Sequence, residues 1–251
     1  PVVAIAPISI DMTTAESRIR KHFVKAKEEG MVTEDPEFYF KNLIITEDYA
    51  QLKPCKLVIE CTLESEEIKK VVYGKIEAEI APDALMTSNT SAIPISILQK
   101  MTKHPGRFFG LHWAEPSHTT RFLEVICGDE SDIEKGEYLY ELSNYWNKEA
   151  TLVRKDIRGF IGNRLMYAMY REAFYLVENG YATVEDVDRA CRNNTGYWMT
   201  LVGVFGWMDL TGVPAYHNVM KDLNPTLLQQ EIKINPELFR PANFIDVSIK
   251  G

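Results

Sequence analysis

The chain has 251 residues, 45% of them hydrophobic and 25% charged, the proportions of a folded protein and not of a disordered tail. Its 28 basic and 36 acidic residues leave a formal charge of −8 with no basic block, which argues against nucleic-acid binding and against an anionic membrane surface. No run approaches the roughly 18 apolar residues of a membrane span, and Cys55, Cys61, Cys127 and Cys191 lack CxxC spacing, so they read as free thiols of a reducing, cytoplasmic compartment.

In chain order, residues 1–8 (PVVAIAPI) predict a buried strand, and Thr13 with Glu16 gives a capping-box start for a polar helix running to about Gly30. Residues 42–46 and 55–60 read as short strands, 65–80 as a helix, 84–88 as a strand with a polar end, and 93–101 as a helix. Strands follow at 107–112 and 121–126, then a helix over 131–148 and a strand at 150–153. Strands alternating with helices predict βαβ units and a largely parallel sheet. The pattern changes at residues 158–162: Ile161, Leu165, Ala168, Met169, Ala173 and Leu176 recur at helical spacing, and Gly180 sits where a helix C-cap belongs. Thr183 opens a further helix. The expectation is an α/β domain over residues 1–157 and an all-helical domain over 158–251. The aromatic-rich stretch 197–212 reads as helical-domain core together with a dimer face, and secondly as a substrate-pocket wall.

Ligands of open α/β sheets bind at the carboxyl ends of the strands. Three of those ends are polar here: Ser88-Asn-Thr-Ser91, His112 with Glu115, and Glu124, while Asn163 starts the first helix of the second domain. Taken singly, each has an ordinary structural reading. A histidine at a strand end is more often structural, Glu124 between Leu123 and Val125 fits a solvent-facing strand position, Ser88–Ser91 fits a turn, and Glu64 and Lys69 fit helix-terminal charges. His22, His104, His118 and His217 read as surface residues without partners, and no residue set has metal-ligand spacing.

Read together, Leu57-Val-Ile-Glu60, Ser88-Asn-Thr-Ser91, Gly110-Leu-His112 followed by Pro116, Leu123-Glu124-Val-Ile126 and Gly159-Phe-Ile-Gly-Asn163-Arg-Leu165 occur in one order. Over about residues 1–225 this resembles the 3-hydroxyacyl-CoA dehydrogenase family, which includes relatives acting on other 3-hydroxy acids. The resemblance implies a Rossmann-type domain, NAD as cofactor, and oxidation of a 3-hydroxyl to a ketone or its reverse. It implies that His112 is the catalytic histidine and Glu124 its carboxylate partner, and that Ser91 and Asn163 bond the substrate oxygen or steady the histidine. Asn89 falls near the nicotinamide end, Glu64 and Lys69 on positions that contact the cofactor, and the helical domain on the surface through which family members form homodimers. The residue types suit the chemistry: imidazole takes and returns a proton near neutrality, and a carboxylate on its other nitrogen fixes the tautomer.

The sequence also departs from the family. No Gly-x-Gly-x-x-Gly occurs, and residues 1–10 resemble the second strand of such a domain, so the sheet is expected to lack its first strand and helix and to fall into two half-sheets. The chain is accordingly expected to start inside its domain, or to have something else in that gap. Ala6-Pro7 stands near the place of the ribose-binding acid, Glu115 replaces an asparagine, and Gly203-Val-Phe-Gly206 replaces Gly-Pro-Phe-Glu. These departures weaken the acyl-CoA specificity more than the dehydrogenase chemistry. They also support an alternative of another class, a non-catalytic dimeric homologue that has lost the cofactor site.

Overall fold

The computed structural model describes residues 1–6, 8–224 and 227, so Pro7 and, of the expected helical domain, residues 225–226 and 228–251 lie outside the described residues. The chain divides into two compact units, Pro1–Ile161 and Gly162–Gly251.

The first unit holds two sheets. Strand β1 (Val2–Ile5) pairs in parallel with β2 (Leu43–Thr46), the two joined through α1 (Ser9–Glu28) and α2 (Pro36–Phe40). The larger sheet has the order β3-β4-β5-β6-β7, formed by Leu57–Glu60, Leu85–Ser88, Phe108–Trp113, Phe122–Cys127 and Glu149–Val153. Helices α3 (Glu66–Glu77), α4 (Ile95–Gln99) and α5 (Ile133–Leu142) lie between its strands in sequence. The two half-sheets expected from the sequence are thus present: β1 and β3 do not share a ladder. Val3 and Ile5 of β1 nevertheless pack against the same apolar cluster as Val58, Met86, Phe108 and Ile126 of the larger sheet.

Every pairing is parallel except β5 with β6. Residues 114–121 join those two strands, a connection shorter than the dozen or so residues of a parallel crossover, and the chain turns straight back. β5 and β6 are buried on both faces because successive side chains alternate. Phe108 and Ile126 enter the cluster with Tyr73, Ile95 and Leu98, while Phe109, Leu111, Leu123 and Val125 enter a second cluster with Leu139. Gly110 sits in this packing without room for a side chain: a Cβ there would lie 2.8 Å from Ile126 Cδ1 and 2.9 Å from Ile95 Cδ1. Gly110→Ala is therefore expected to destabilise the protein by about 1–3 kcal/mol through overpacking, read as a lower urea midpoint at unchanged slope.

Two local expectations are corrected. The first helix begins at Ser9, so Thr13 lies inside it; the Thr13 and Thr14 hydroxyls donate to the Ile10 carbonyl at 3.1 and 2.7 Å, the usual outlet for a hydroxyl within a helix. The helix expected over 131–148 ends at Leu142, where a tight turn (Ser143–Trp146) and Asn147 in the left-handed region (φ 55°) lead the chain into β7. Elsewhere the caps follow the sequence, with the Ser65 hydroxyl accepting the Ile68 N–H at 3.4 Å at the start of α3.

The second unit is helical among its described residues: α6 (Gly162–Glu178), α7 (Val184–Ala190), α8 (Gly196–Thr211) and α9 (Val213–Leu223). Gly180 (φ +73°) ends α6, with the Tyr181 N–H donating to the Leu176 carbonyl at 2.9 Å, and the Thr183 hydroxyl accepts the Asp186 N–H at 3.2 Å to open α7. The core role expected for residues 197–212 is not met. None of the residues of α6, α7 or α8 is buried, and Phe205 is 80% exposed. The helix is broken at Gly203 (φ 71°), and its apolar residues surround it instead of forming one stripe that a single neighbour can cover.

Candidate active site

β5 and β6 place His112 opposite Glu124 in their antiparallel register. Side chains directly opposite on one face meet, and His112 Nδ1 lies 2.8 Å from Glu124 Oε2, with both side chains buried. A carboxylate only accepts, so Nδ1 carries the hydrogen and Nε2 keeps a lone pair in the neutral ring. The solvent-facing alternative for Glu124 is excluded, since the residue is 1% exposed.

The second oxygen of Glu124 is committed as well. Oε1 accepts the backbone N–H of Ile161 at 3.0 Å. That N–H follows two successive left-handed residues, Gly159 (φ 78°) and Phe160 (φ 51°), the second a strained conformation for a bulky side chain. Phe160 is fully buried, its ring 5.6 Å from the imidazole, and Phe122 meets the same imidazole edge-on at 5.6 Å. Phe122 and Phe160 thus restrict the ring that Glu124 orients. Sequence reasoning missed Phe160 as a site residue, although the positive-φ turn has its signal in the Gly159-Phe-Ile-Gly162 run.

Glu64, Lys69, Asn89 and Ser91 gather around the ends of β3 and β4. Asn89 Oδ1 accepts the Trp113 N–H at 3.0 Å, which ties the Ser88–Ser91 loop to the strand end beside His112. Thr90 donates its hydroxyl to Glu64 Oε1 at 2.6 Å, and the Ser91 and Ala92 N–H groups donate to the same oxygen at 3.0 and 3.1 Å. Burial opposes the charge on Glu64, but these donors and the Lys69 ammonium outweigh it and hold the carboxyl below its ordinary range. Lys69 is not a surface charge. It is 1% exposed, with Nζ 3.0 Å from both oxygens of buried Glu60. Asn163 is the second residue of α6, in the other unit.

Because the folded state depresses the Glu64 pKa, the stability it adds is present above the unfolded value of about 4.3 and is lost as pH falls through the folded value. Glu64→Gln is expected to lower the urea midpoint near neutrality and to match the wild type in acid. A constant gap across pH would contradict this.

Two of the remaining histidines differ from expectation in one respect: His22 and His118 are exposed, but their rings approach to 5.8 Å. His104 and His217 are exposed, as expected of surface residues. Glu115 is exposed and precedes cis Pro116.

Residues 1–157 match the family described as 3-hydroxyacyl-CoA dehydrogenase, NAD binding domain, and residues 159–244 match its C-terminal domain. The chain belongs to the 3-hydroxyacyl-CoA dehydrogenase family. It is 35% identical over 175 residues to a 5-formyl-3-hydroxy-2-methylpyridine 4-carboxylate 5-dehydrogenase of Mesorhizobium japonicum, covering 70% of this chain and 57% of that relative. It is 28% identical over 220 residues to a probable 3-hydroxybutyryl-CoA dehydrogenase of Deinococcus radiodurans, covering 88% and 78%. A crystal structure of a 5-formyl-3-hydroxy-2-methylpyridine 4-carboxylic acid 5-dehydrogenase, described as an NAD+ dependent dismutase, superposes with a TM-score of 0.83 at 29% identity, covering 94% of this chain and 75% of that one. The chain therefore spans somewhat more than half the length of the first of these relatives.

In this dehydrogenase family the cofactor is NAD. Beyond the carboxyl ends of β3 and β4 and on β5 stand a half-exposed carboxylate (Glu64), an amide (Asn89) and a buried imidazole (His112), on strands adjacent in the sheet order. No Gly-x-Gly-x-x-Gly loop lies among residues 1–251, so none of these residues is assigned to the pyrophosphate.

Proposed function

We propose that the protein interconverts the 3-hydroxyl of a 3-hydroxyacyl-CoA, or of a related 3-hydroxy acid, with the 3-ketone. The observation that carries this is the buried His112–Glu124 pair at 2.8 Å, which engages Nδ1 and not Nε2. In the oxidation, Nε2 takes the hydroxyl proton and Glu124 stabilises the imidazolium; in the reduction, the same nitrogen returns the proton. Bound NAD supplies the hydride acceptor. Ser91 donates a hydrogen bond to the substrate oxygen, where charge develops, or steadies the histidine. Glu64 and Asn89 serve the cofactor end directly, and Lys69 through the carboxylates it binds.

The protein works as a homodimer through its helical unit, where α8 leaves Leu201, Phe205 and Leu210 at least 68% exposed. It works in a reducing cytoplasm: Cys55, Cys61, Cys127 and Cys191 are all free thiols. Among the described residues no helix is long and apolar enough to cross a membrane.

A second substrate reading follows from the likeness to the pyridine-carboxylate dehydrogenase: a small aromatic carboxylate in place of the CoA thioester. Both are decided by NADH formation from 3-hydroxybutyryl-CoA and free 3-hydroxybutyrate, and by NAD-dependent consumption of the 5-formyl pyridine carboxylate, since a dismutation leaves no net NADH. Turnover of the thioester alone supports the acyl-CoA reading and turnover of the pyridine the second. No turnover of any of them, by protein that does not bind NADH, establishes the non-catalytic alternative.

A further inference from the structure

Glu60 ends β3 with its carboxylate inside the protein and has no part in the proton relay. Its position follows from strand alternation: Val58 and Glu60 share the inward face of Leu57–Glu60, and the residue is 3% exposed. A carboxylate is buried there only because donors surround it. Oε1 accepts the Thr62 N–H and hydroxyl, both at 2.5 Å, and Oε2 accepts the Ser88 hydroxyl at 2.6 Å and the Tyr73 hydroxyl at 3.2 Å. Lys69 Nζ sits 3.0 Å from each oxygen and 3.6 Å from Glu64 Oε2. Glu64 in turn holds Thr90 and the N–H groups of Ser91 and Ala92. A chain of hydrogen bonds and charge pairs therefore runs from the end of β3, through α3, to the loop that carries Ser91.

We propose that Glu60 is a positioning residue of the dehydrogenase reaction: acting through Lys69 and Glu64, and directly through Ser88, it fixes the Ser88–Ala92 loop so that the Ser91 hydroxyl meets the substrate oxygen. The proposal rests on the role given to Ser91 above. The strand side of the loop is anchored at Asn89 independently of Glu60's side chain, by the Asn89 side chain to the Trp113 N–H and by the Asn89 N–H to the Glu60 carbonyl at 2.8 Å. Loss of the carboxylate thus loosens the Ser91 side of the loop and spares its strand side. A mispositioned hydroxyl weakens a bond made to developing charge, so the effect falls on turnover and not on binding.

The test is Glu60→Gln combined with Lys69→Met. It removes both buried charges together and so avoids stranding either one, a replacement that buried ion pairs commonly tolerate. Hydrogen exchange at the Ser91 and Ala92 amides is expected to speed up about tenfold while the β5 amides keep their protection, the change that follows from losing one charge-assisted anchor. kcat is expected to fall about tenfold with KM for the hydroxyacyl substrate within about threefold of wild type, and adding Ser91→Ala is expected to cost less than about twofold more. Wild-type exchange at Ser91 and Ala92 overturns the proposal whatever the activity, as does a further full loss on adding Ser91→Ala. If the wild-type protein forms no NADH, the functional reading fails while the exchange result still decides the positioning. If the double variant does not fold, Ser88→Ala removes only the 2.6 Å bond to Glu60 and is expected to speed the same two amides about threefold; unchanged exchange there overturns the proposal equally.

Discussion

His112→Gln is expected to lower kcat about a thousandfold while the protein keeps its fold, because general acid–base transfer by a positioned side chain contributes on that order. Glutamine is the informative replacement. Alanine would leave Glu124, 1% exposed, with a lost donor on Oε2, and removing one partner of a buried pair destabilises by itself. The glutamine amide supplies an N–H toward Glu124 but no basic nitrogen toward substrate. Activity and stability are thereby separated: steady-state NADH formation is expected to collapse, and the urea midpoint to fall only modestly. Equal activity in wild type and variant would remove His112 from the reaction.

Glu124→Gln is expected to cost about a hundredfold in kcat, and the direction follows from counting donors. Glu124 receives two of them on different oxygens, the His112 ring at 2.8 Å and the Ile161 N–H at 3.0 Å. A glutamine has one oxygen and one NH2 group, so one of the two must face a donor. The Ile161 N–H cannot change; the imidazole can, by moving its proton from Nδ1 to Nε2. The amide oxygen therefore stays with Ile161, the NH2 group turns to Nδ1, and the ring adopts the tautomer that has no lone pair on the substrate side. Activity is lost with little loss of stability. The opposite pattern, full activity with a marked drop in stability, would mean that the Ile161 contact gave way and that the ring kept its tautomer.

The legible part of this protein was the part governed by period and by short connections. Short apolar runs placed residues 107–112 and 121–126 in strands, and the polar residues at Ser88 and His112 stand on neighbouring strands of the sheet. The resemblance of residues 1–10 to the second strand of such a domain led to two half-sheets, and β1-β2 stands apart from β3–β7. What stayed hidden depended on partners far along the chain. Nothing local marks that the Glu124 carboxylate spans 37 residues to the Ile161 amide, or that Phe160 takes a left-handed conformation against the imidazole. Lys69 resembled any helix charge until the fold placed Glu60 beneath it, although strand alternation with Val58 already aims Glu60 inward. The apolar run of α8 was misread as core because composition does not say whether a second surface exists to cover it; Phe205 and Leu201 remain exposed in the single chain.

The arrangement of His112 is tested most directly by a long-range proton–nitrogen NMR spectrum of the protein with its histidines labelled, assigned by comparison with His112→Gln. Held by Glu124 at 2.8 Å, the neutral ring of His112 is predicted to carry its hydrogen on Nδ1 and to show an unprotonated Nε2, and Glu124→Gln is predicted to exchange the two. A wild-type ring protonated on Nε2 would contradict the account, because the nitrogen assigned to take the substrate's proton would already hold one.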